Sequence, residues 1–128
     1  DYRRVVERMF QAVDPARICW ISLGCFRYMP GLKQVAMERC PASTIFCQEF
    51  IRGLDGKMRY FKPIRIEMYG TMIGWIRHFS RDVSVYLCME SSEVWETTLG
   101  FAPASAHDLN MRLARFWTAR NEKNQLCG

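Results

Sequence analysis

Residues 52–65 carry the densest binding chemistry in the chain. Arg52, Lys57, Arg59, Lys62 and Arg65 stand there against the single carboxylate of Asp55, with Tyr60 and Phe61 between the bases. Cations neutralise phosphates, and aromatic rings beside them stack on bases or wedge into a base step. The pattern is therefore that of a nucleic-acid contact. Two plainer readings stand beside it. One is a solvated ribbon whose charges protect a sheet edge from aggregation; the other is a site for a different anion.

Other candidates are more isolated. Arg27 follows an apolar run and Gly24, and suits a phosphate, a carboxylate or a structural ion pair. Glu49 and Glu90 are the candidates for a paired acid and base, with capping and ion pairing as the plainer roles. His78 and His107 have no nucleophile at a triad spacing. The six cysteines, at positions 19, 25, 40, 47, 88 and 127, lack the short paired spacings of zinc and iron–sulfur sites, so no metal ligands are assigned. Cys19, Cys47 and Cys88 lie in apolar runs and read as small core hydrophobes. Cys25 lies in a loop, and Cys127 reads as a free terminal thiol. No apolar leader follows Asp1-Tyr2-Arg3-Arg4, so a disulfide framework is not expected.

A chain of 128 residues, 49% hydrophobic and 24% charged, has globular composition and the length of one domain. A chain of this size buries roughly two-thirds of its unfolded surface. No apolar run approaches the roughly 18 residues needed to cross a bilayer, so a cytoplasmic protein without membrane contact is expected. The net charge of +5 is a mild basic excess, informative only through its concentration in residues 52–65. The first residue is Asp1, and a fragment or processed form of a longer protein is expected.

The elements that must position these residues follow from pattern. Val5, Val6, Met9, Phe10 and Val13 predict a helix over 2–13, ended by Asp14-Pro15. The run 17–23 predicts a buried strand. A short helix over 31–39 follows, with Leu32, Val35 and Ala36 on one side, and then a strand over 43–51. Asp55-Gly56 predicts a type I′ hairpin turn. Pro63 opens a helix over 63–79 with Tyr69, Met72, Ile73, Ile76 and Phe79 inward. A strand over 83–89 and a helix over 91–99 follow. Ser105 and Asp108 cap a last helix to about 120, with Leu109, Leu113, Phe116 and Trp117 inward, and the final eight residues read as frayed. Strands alternating with helices imply a parallel sheet. Three strands cannot close a barrel, so these elements are expected to complete a larger one. Ligands of such folds meet the carboxyl ends of the strands. Three segments should share that rim: Gly24 to Tyr28, Glu49 with the hairpin, and Met89 to Ser92.

The same segments resemble the spore photoproduct lyase family. The run Ser22-Leu23-Gly24-Cys25-Phe26-Arg27-Tyr28-Met29-Pro30 carries the resemblance. So do Gly53-Leu54-Asp55-Gly56-Lys57-Met58-Arg59-Tyr60-Phe61-Lys62-Pro63 and Val85-Tyr86-Leu87-Cys88-Met89-Glu90-Ser91 with Glu93-Val94-Trp95. Their order and separations agree, over about residues 1–101. The resemblance implies a radical S-adenosylmethionine enzyme that reverses a thymine-dimer lesion in DNA. In that family a reduced 4Fe-4S cluster cleaves S-adenosylmethionine to a radical, which abstracts a hydrogen from the lesion. A protein thiol then returns one. The resemblance also implies that a hairpin enters the duplex, here Gly56 to Lys62 with Arg59 and Tyr60 at the wedge. The three-cysteine cluster motif and the hydrogen-donating cysteine belong to the family's N-terminal part, so Cys25 does not inherit a role.

The expected fold is thus α/β, the C-terminal portion of a partial (β/α) barrel with an inserted basic β-hairpin. Residues 1–101, including a hairpin at 52–62, form the barrel part, and residues 102–128 a helix and tail. Arg52, Lys57, Arg59, Tyr60 and Lys62 are the expected DNA-binding residues, and Gly24, Arg27 and Glu90 the rim candidates. Damaged duplex DNA and the missing N-terminal part, or a split partner subunit, are the expected partners. The alternative is a non-enzymatic nucleic-acid-binding module derived from the family. A more distant possibility is a small α/β protein with an anionic metabolite ligand.

Overall fold

The computed structural model describes the backbone of residues 1–126 and the side chains through Glu122. Helix α1 (Tyr2–Ala12) is capped by Asp1, whose carboxylate accepts from the Arg3 N–H. Its buried stripe is Val6 and Phe10 with Met9 beside them, while Val5 and Val13 face solvent. Asp14 then caps a single 3₁₀ turn over Pro15–Arg17. That turn consumes the start of the strand expected at 17, so β1 covers only Trp20–Leu23.

Strand β1 pairs in parallel with β5 (Ser84–Leu87), with Leu23 opposite Leu87. The crossover between them carries β2 (Arg27–Tyr28), α2 (Leu32–Arg39), β3 (Phe50–Arg52), β4 (Met58–Tyr60) and α3 (Lys62–Phe79). β2, β4 and β3 form a separate antiparallel sheet in that order. The fold is mixed α/β without a closed barrel, and among the described residues the parallel sheet has two strands, not three.

The strand expected at 43–51 is the main departure. The Ser43 N–H donates to the Cys40 carbonyl and the Cys47 N–H to the Thr44 carbonyl, so turns take the backbone groups that a ladder would need. Only its last residues enter β3. Phe46, from this looped segment, is buried against the rings of Phe26 and Tyr28.

The main core joins Val6 and Phe10 to Leu23, to Tyr69, Ile73 and Ile76 of α3, to Val83, Val85 and Leu87, and to Val94 and Trp95 of α4 (Ser92–Leu99). Phe26, Tyr28, Phe46, Phe50 and Tyr60 make a second, aromatic cluster on the antiparallel sheet. Ser91 caps α4 and Gly100, at φ 77°, ends it in the left-handed conformation that glycine adopts without strain.

Helix α5 spans Ala106–Leu126. The Ser105 hydroxyl accepts from the Asp108 N–H at 3.1 Å, and Asp108 accepts from the Ala104 N–H at 3.0 Å. The helix continues past residue 120, since nothing between Asn121 and Gln125 breaks it. Leu109 packs on the main core, but Phe116 and Trp117 are about half exposed, because no layer among the described residues covers them. Leu32 and Val35 of α2 are exposed for the same reason. Cys19 is half-buried, whereas Cys47 and Cys88 are exposed, one in a turn and one past the end of β5. Cys127 lies outside the described residues.

Candidate functional site

Two groups of side chains meet beyond the carboxyl ends of β1 and β5. The Cys88 N–H donates to the Leu23 carbonyl at 2.7 Å, which extends the parallel pairing into the two following segments. Met89 then adopts φ 60°, a left-handed conformation that costs a non-glycine residue energy. This turn precedes Glu90, whose carboxylate is almost fully buried. It accepts from Arg65 Nε at 3.0 and 3.3 Å and from the Tyr69 hydroxyl at 3.0 Å. The Tyr69 oxygen in turn accepts from the Cys25 N–H at 2.8 Å. Arg65 Nη1 donates to the Tyr60 carbonyl at 2.5 Å.

Arg65 and Glu90 are only 6% and 5% exposed at the side chain. A buried pair of this kind offsets its own desolvation only when its geometry and remaining hydrogen bonds are good, as they are here. Burial, the Cys25 side chain and the nearby Glu90 push the Tyr69 phenol far above its ordinary range, against the opposing pull of the Cys25 N–H. Burial also pushes the Cys25 thiol up, against the opposing pull of the Tyr69 hydrogen bond. Cys25 is therefore a neutral thiol at neutral pH and a poor nucleophile. Both Glu90 oxygens are engaged, so the cluster works as a weld between the strand ends, α3 and the antiparallel sheet rather than as a free acid or base. Glu49 is exposed ahead of β3, and Glu90 takes the plainer ion-pair role, held by Arg65 and Tyr69 rather than paired with Glu49.

The basic segment forms the second group. β3 and β4 pair antiparallel, Phe50 opposite Tyr60 and Arg52 opposite Met58. The Gly53 N–H donates to Lys57 and the Gly56 N–H to Gly53, at 2.8 and 3.0 Å. Within the loop only Gly56 has positive φ, at 75°. The loop is thus a three-residue connection ending in a left-handed glycine, not the type I′ turn expected, which needs two such residues. The paired residues run from 50 to 60 rather than 52 to 62, because Lys62 opens α3.

The side chains differ from expectation more than the backbone does. Asp55 Oδ2 lies 2.7 Å from Arg59 Nη2 and 3.9 Å from Arg27 Nη1. Burial alone would raise the Asp55 carboxyl, but the Lys57 N–H and the Arg59 guanidinium together outweigh it and hold the group below the usual carboxylate range. Arg59 lies against Gly53, where an added Cβ would sit 2.7 Å from its Nε. Tyr60, expected at a wedge, is 8% exposed and stacks on Phe50 at 4.7 Å. It cannot enter a base stack without leaving its own core. Lys62 is paired with Glu93 at 2.5 Å. Arg52 is exposed, Lys57 half-buried, and Leu54 stands fully exposed at the loop tip. Gly24 is exposed, and a Cβ there would make only ordinary contact with Cys88.

The structure therefore brings Arg27 to the ribbon and Glu90 to the strand-end cluster, with Arg65 joining the two. Arg65, Tyr69 and Asp55 were not singled out as site residues. A legible signal existed for the first: Arg65 occupies the same helical stripe as Tyr69, Ile73 and Ile76, and a cation on an apolar stripe needs a partner. A separate open cleft of about 640 Å³ lies between β5 and α5, lined in part by Arg77, Arg81, Arg112 and Arg120. It includes no residue of the ribbon or of the Glu90 cluster.

Among the described residues no three of His, Cys, Asp and Glu come together to hold a metal. No described helix is long and apolar enough to cross a membrane. Compared with family models, with curated proteins and with solved structures, the chain finds no match.

Proposed function

We propose that this chain is the DNA-contacting, C-terminal part of a spore photoproduct lyase-like radical S-adenosylmethionine enzyme, a cytoplasmic lyase that reverses a thymine-dimer lesion. The observation that carries the reading is convergence. The segments 22–30, 53–63 and 85–95, far apart in sequence, meet around Arg65, Tyr69 and Glu90 at the carboxyl ends of two parallel strands. Ligands of parallel α/β folds gather at that end, and the basic ribbon is fastened to it.

In this reading Arg52 and Lys57 take backbone phosphates, and Leu54 at the tip meets the distorted base step. Apolar wedges serve in such steps as aromatic ones do. Tyr60 supports the ribbon from inside, and Lys62 reaches a phosphate when its exposed pair with Glu93 opens. The cluster and S-adenosylmethionine, which supply the radical in this family, belong to the N-terminal part or to a partner subunit. No step of that chemistry is assigned to residues of this chain, which alone is expected to be inactive as a lyase.

The test is fluorescence anisotropy with intact and lesion-containing duplexes across a salt series. The proposal predicts preference for the lesion duplex and a log–log salt slope of about −0.9 per phosphate contact. Steep salt dependence with equal affinity for both duplexes would favour the non-enzymatic binding module instead. Salt-insensitive binding, or none, would overturn both.

A further inference from the structure

The ribbon holds two guanidinium groups where one carboxylate serves both. Arg27 and Arg59 stand directly opposite each other across β2 and β4. Like charges so placed destabilise a sheet unless an anion lies between them. Asp55 fills that role only in part. Its Oδ2 makes a close pair with Arg59, but at 3.9 Å it is beyond hydrogen-bond reach of Arg27 Nη1. Arg27 Nη1 and Arg59 Nε are both buried without an acceptor. Unsatisfied buried donors are costly, so the pair has unused donors as well as one uncompensated positive charge.

The position between the two arginines thus suits an oxyanion with more acceptor atoms than a carboxylate. A phosphate group meets guanidinium forks in the same geometry and offers those atoms. Asp55 is on an exposed loop and is the more exposed member of the pair, at 37% against 19% for Arg59, so its carboxylate is the group free to turn out to water. Gly53 permits the Arg59 guanidinium to lie against the loop backbone.

We infer that Arg27 and Arg59 form a two-arginine phosphate clamp, filled by Asp55 in the free protein and by a phosphate oxyanion when ligand binds. Asp55 is then an internal competitor, and loop 53–57 opens as the phosphate enters. The inference rests on the DNA reading only for the source of that phosphate, a nucleic-acid phosphodiester.

The test follows the arginine Nε–Hε NMR signals of the 128-residue chain during titration with inorganic phosphate and, separately, with duplex DNA. Both titrants are expected to move the Arg27 and Arg59 signals. Asp55→Asn, which removes the competitor, is expected to bind duplex about fivefold more tightly, the scale of an exposed ion pair. Glu96→Gln removes the same charge elsewhere and should change affinity by less than about twofold. Arg27→Gln in the Asp55→Asn background should abolish the gain. If phosphate moves the signals but duplex does not bind, the clamp stands as a site for free phosphate and the DNA reading fails. If duplex binds while both signals stay still, the DNA reading stands and the clamp is refuted. Asp55→Asn binding no more tightly than wild type would refute the competitor role. The wild-type titration needs no variant to fold.

Discussion

Glu90→Gln is expected to destabilise the protein strongly while changing hardly any volume. Arg65 and Glu90 are buried, and the carboxylate is the only acidic partner of that guanidinium among the described residues. Removing one charge of such a pair leaves the other buried and uncompensated, at a cost of about 3–5 kcal/mol. Unfolding entropy near about 2.1 cal/mol/K per residue gives roughly 0.27 kcal/mol/K for a chain of 128 residues. The expected loss in Tm is therefore about 11–19 °C. Gln keeps an acceptor for the Tyr69 hydroxyl, so the loss reports charge rather than a missing hydrogen bond. Adding Arg65→Met removes the uncompensated cation and should recover most of the loss, because uncharged replacements of buried pairs are often nearly neutral. Thermal and urea denaturation of the two single variants and the double variant close the cycle. A Glu90→Gln Tm within about 2 °C of wild type, or a double variant worse than the sum of the singles, would refute the weld.

The remaining expectations concern single groups. Tyr60→Ala should cost about 3–5 kcal/mol of stability through the lost burial of its ring and the cavity left beside Phe50; an unchanged Tm with weakened DNA binding would restore it as the wedge. Leu54→Ala should leave stability within about 0.5 kcal/mol and reduce preference for lesion duplex, with equal losses on intact duplex counting against the tip. At pH 8, iodoacetamide should label exposed Cys40, Cys47 and Cys88 well before Cys25, whose thiol burial pushes up; mass spectrometry showing Cys25 labelled among the first would contradict its neutral state. The Ala104 N–H, against the opposing effect of burial and together with the Arg112 guanidinium, holds the Asp108 carboxyl below its unfolded value of about 3.9. Its stabilisation is thus present above about pH 4 and lost as pH falls through the folded value. Asp108→Asn should remove that acid-side loss, and parallel circular-dichroism titrations that superimpose would contradict the cap.

Where local chemistry decides structure, the sequence was legible. Asp14-Pro15, Gly100 and the Ser105–Asp108 pair mark helix boundaries through backbone hydrogen bonds that neighbouring residues make or lack. The strand ends around Gly24 and Glu90 were placed by the same reasoning. Residues 43–51 were not, because their apolar composition suits a strand while the Thr44–Cys47 turn withdraws the backbone from pairing. The burial of Tyr60 was not legible because its facing depends on register with Phe50, which no spacing within 52–65 reveals. Phe116 and Trp117 fall at inward spacing, yet periodicity only proposes a buried face and cannot supply the layer that covers it. Nothing in the residue type at Met89 announces the left-handed turn that precedes Glu90.

The central claim, that the basic ribbon beside the strand ends is a DNA surface, is tested most directly by mapping backbone amide shifts during titration with lesion-containing duplex. The account predicts that the largest changes fall on residues 52–59 and on 24–28, and that they fade as salt is raised. Changes gathered instead at the cleft between β5 and α5, around Arg81 and Arg112, with the ribbon unmoved, would contradict it.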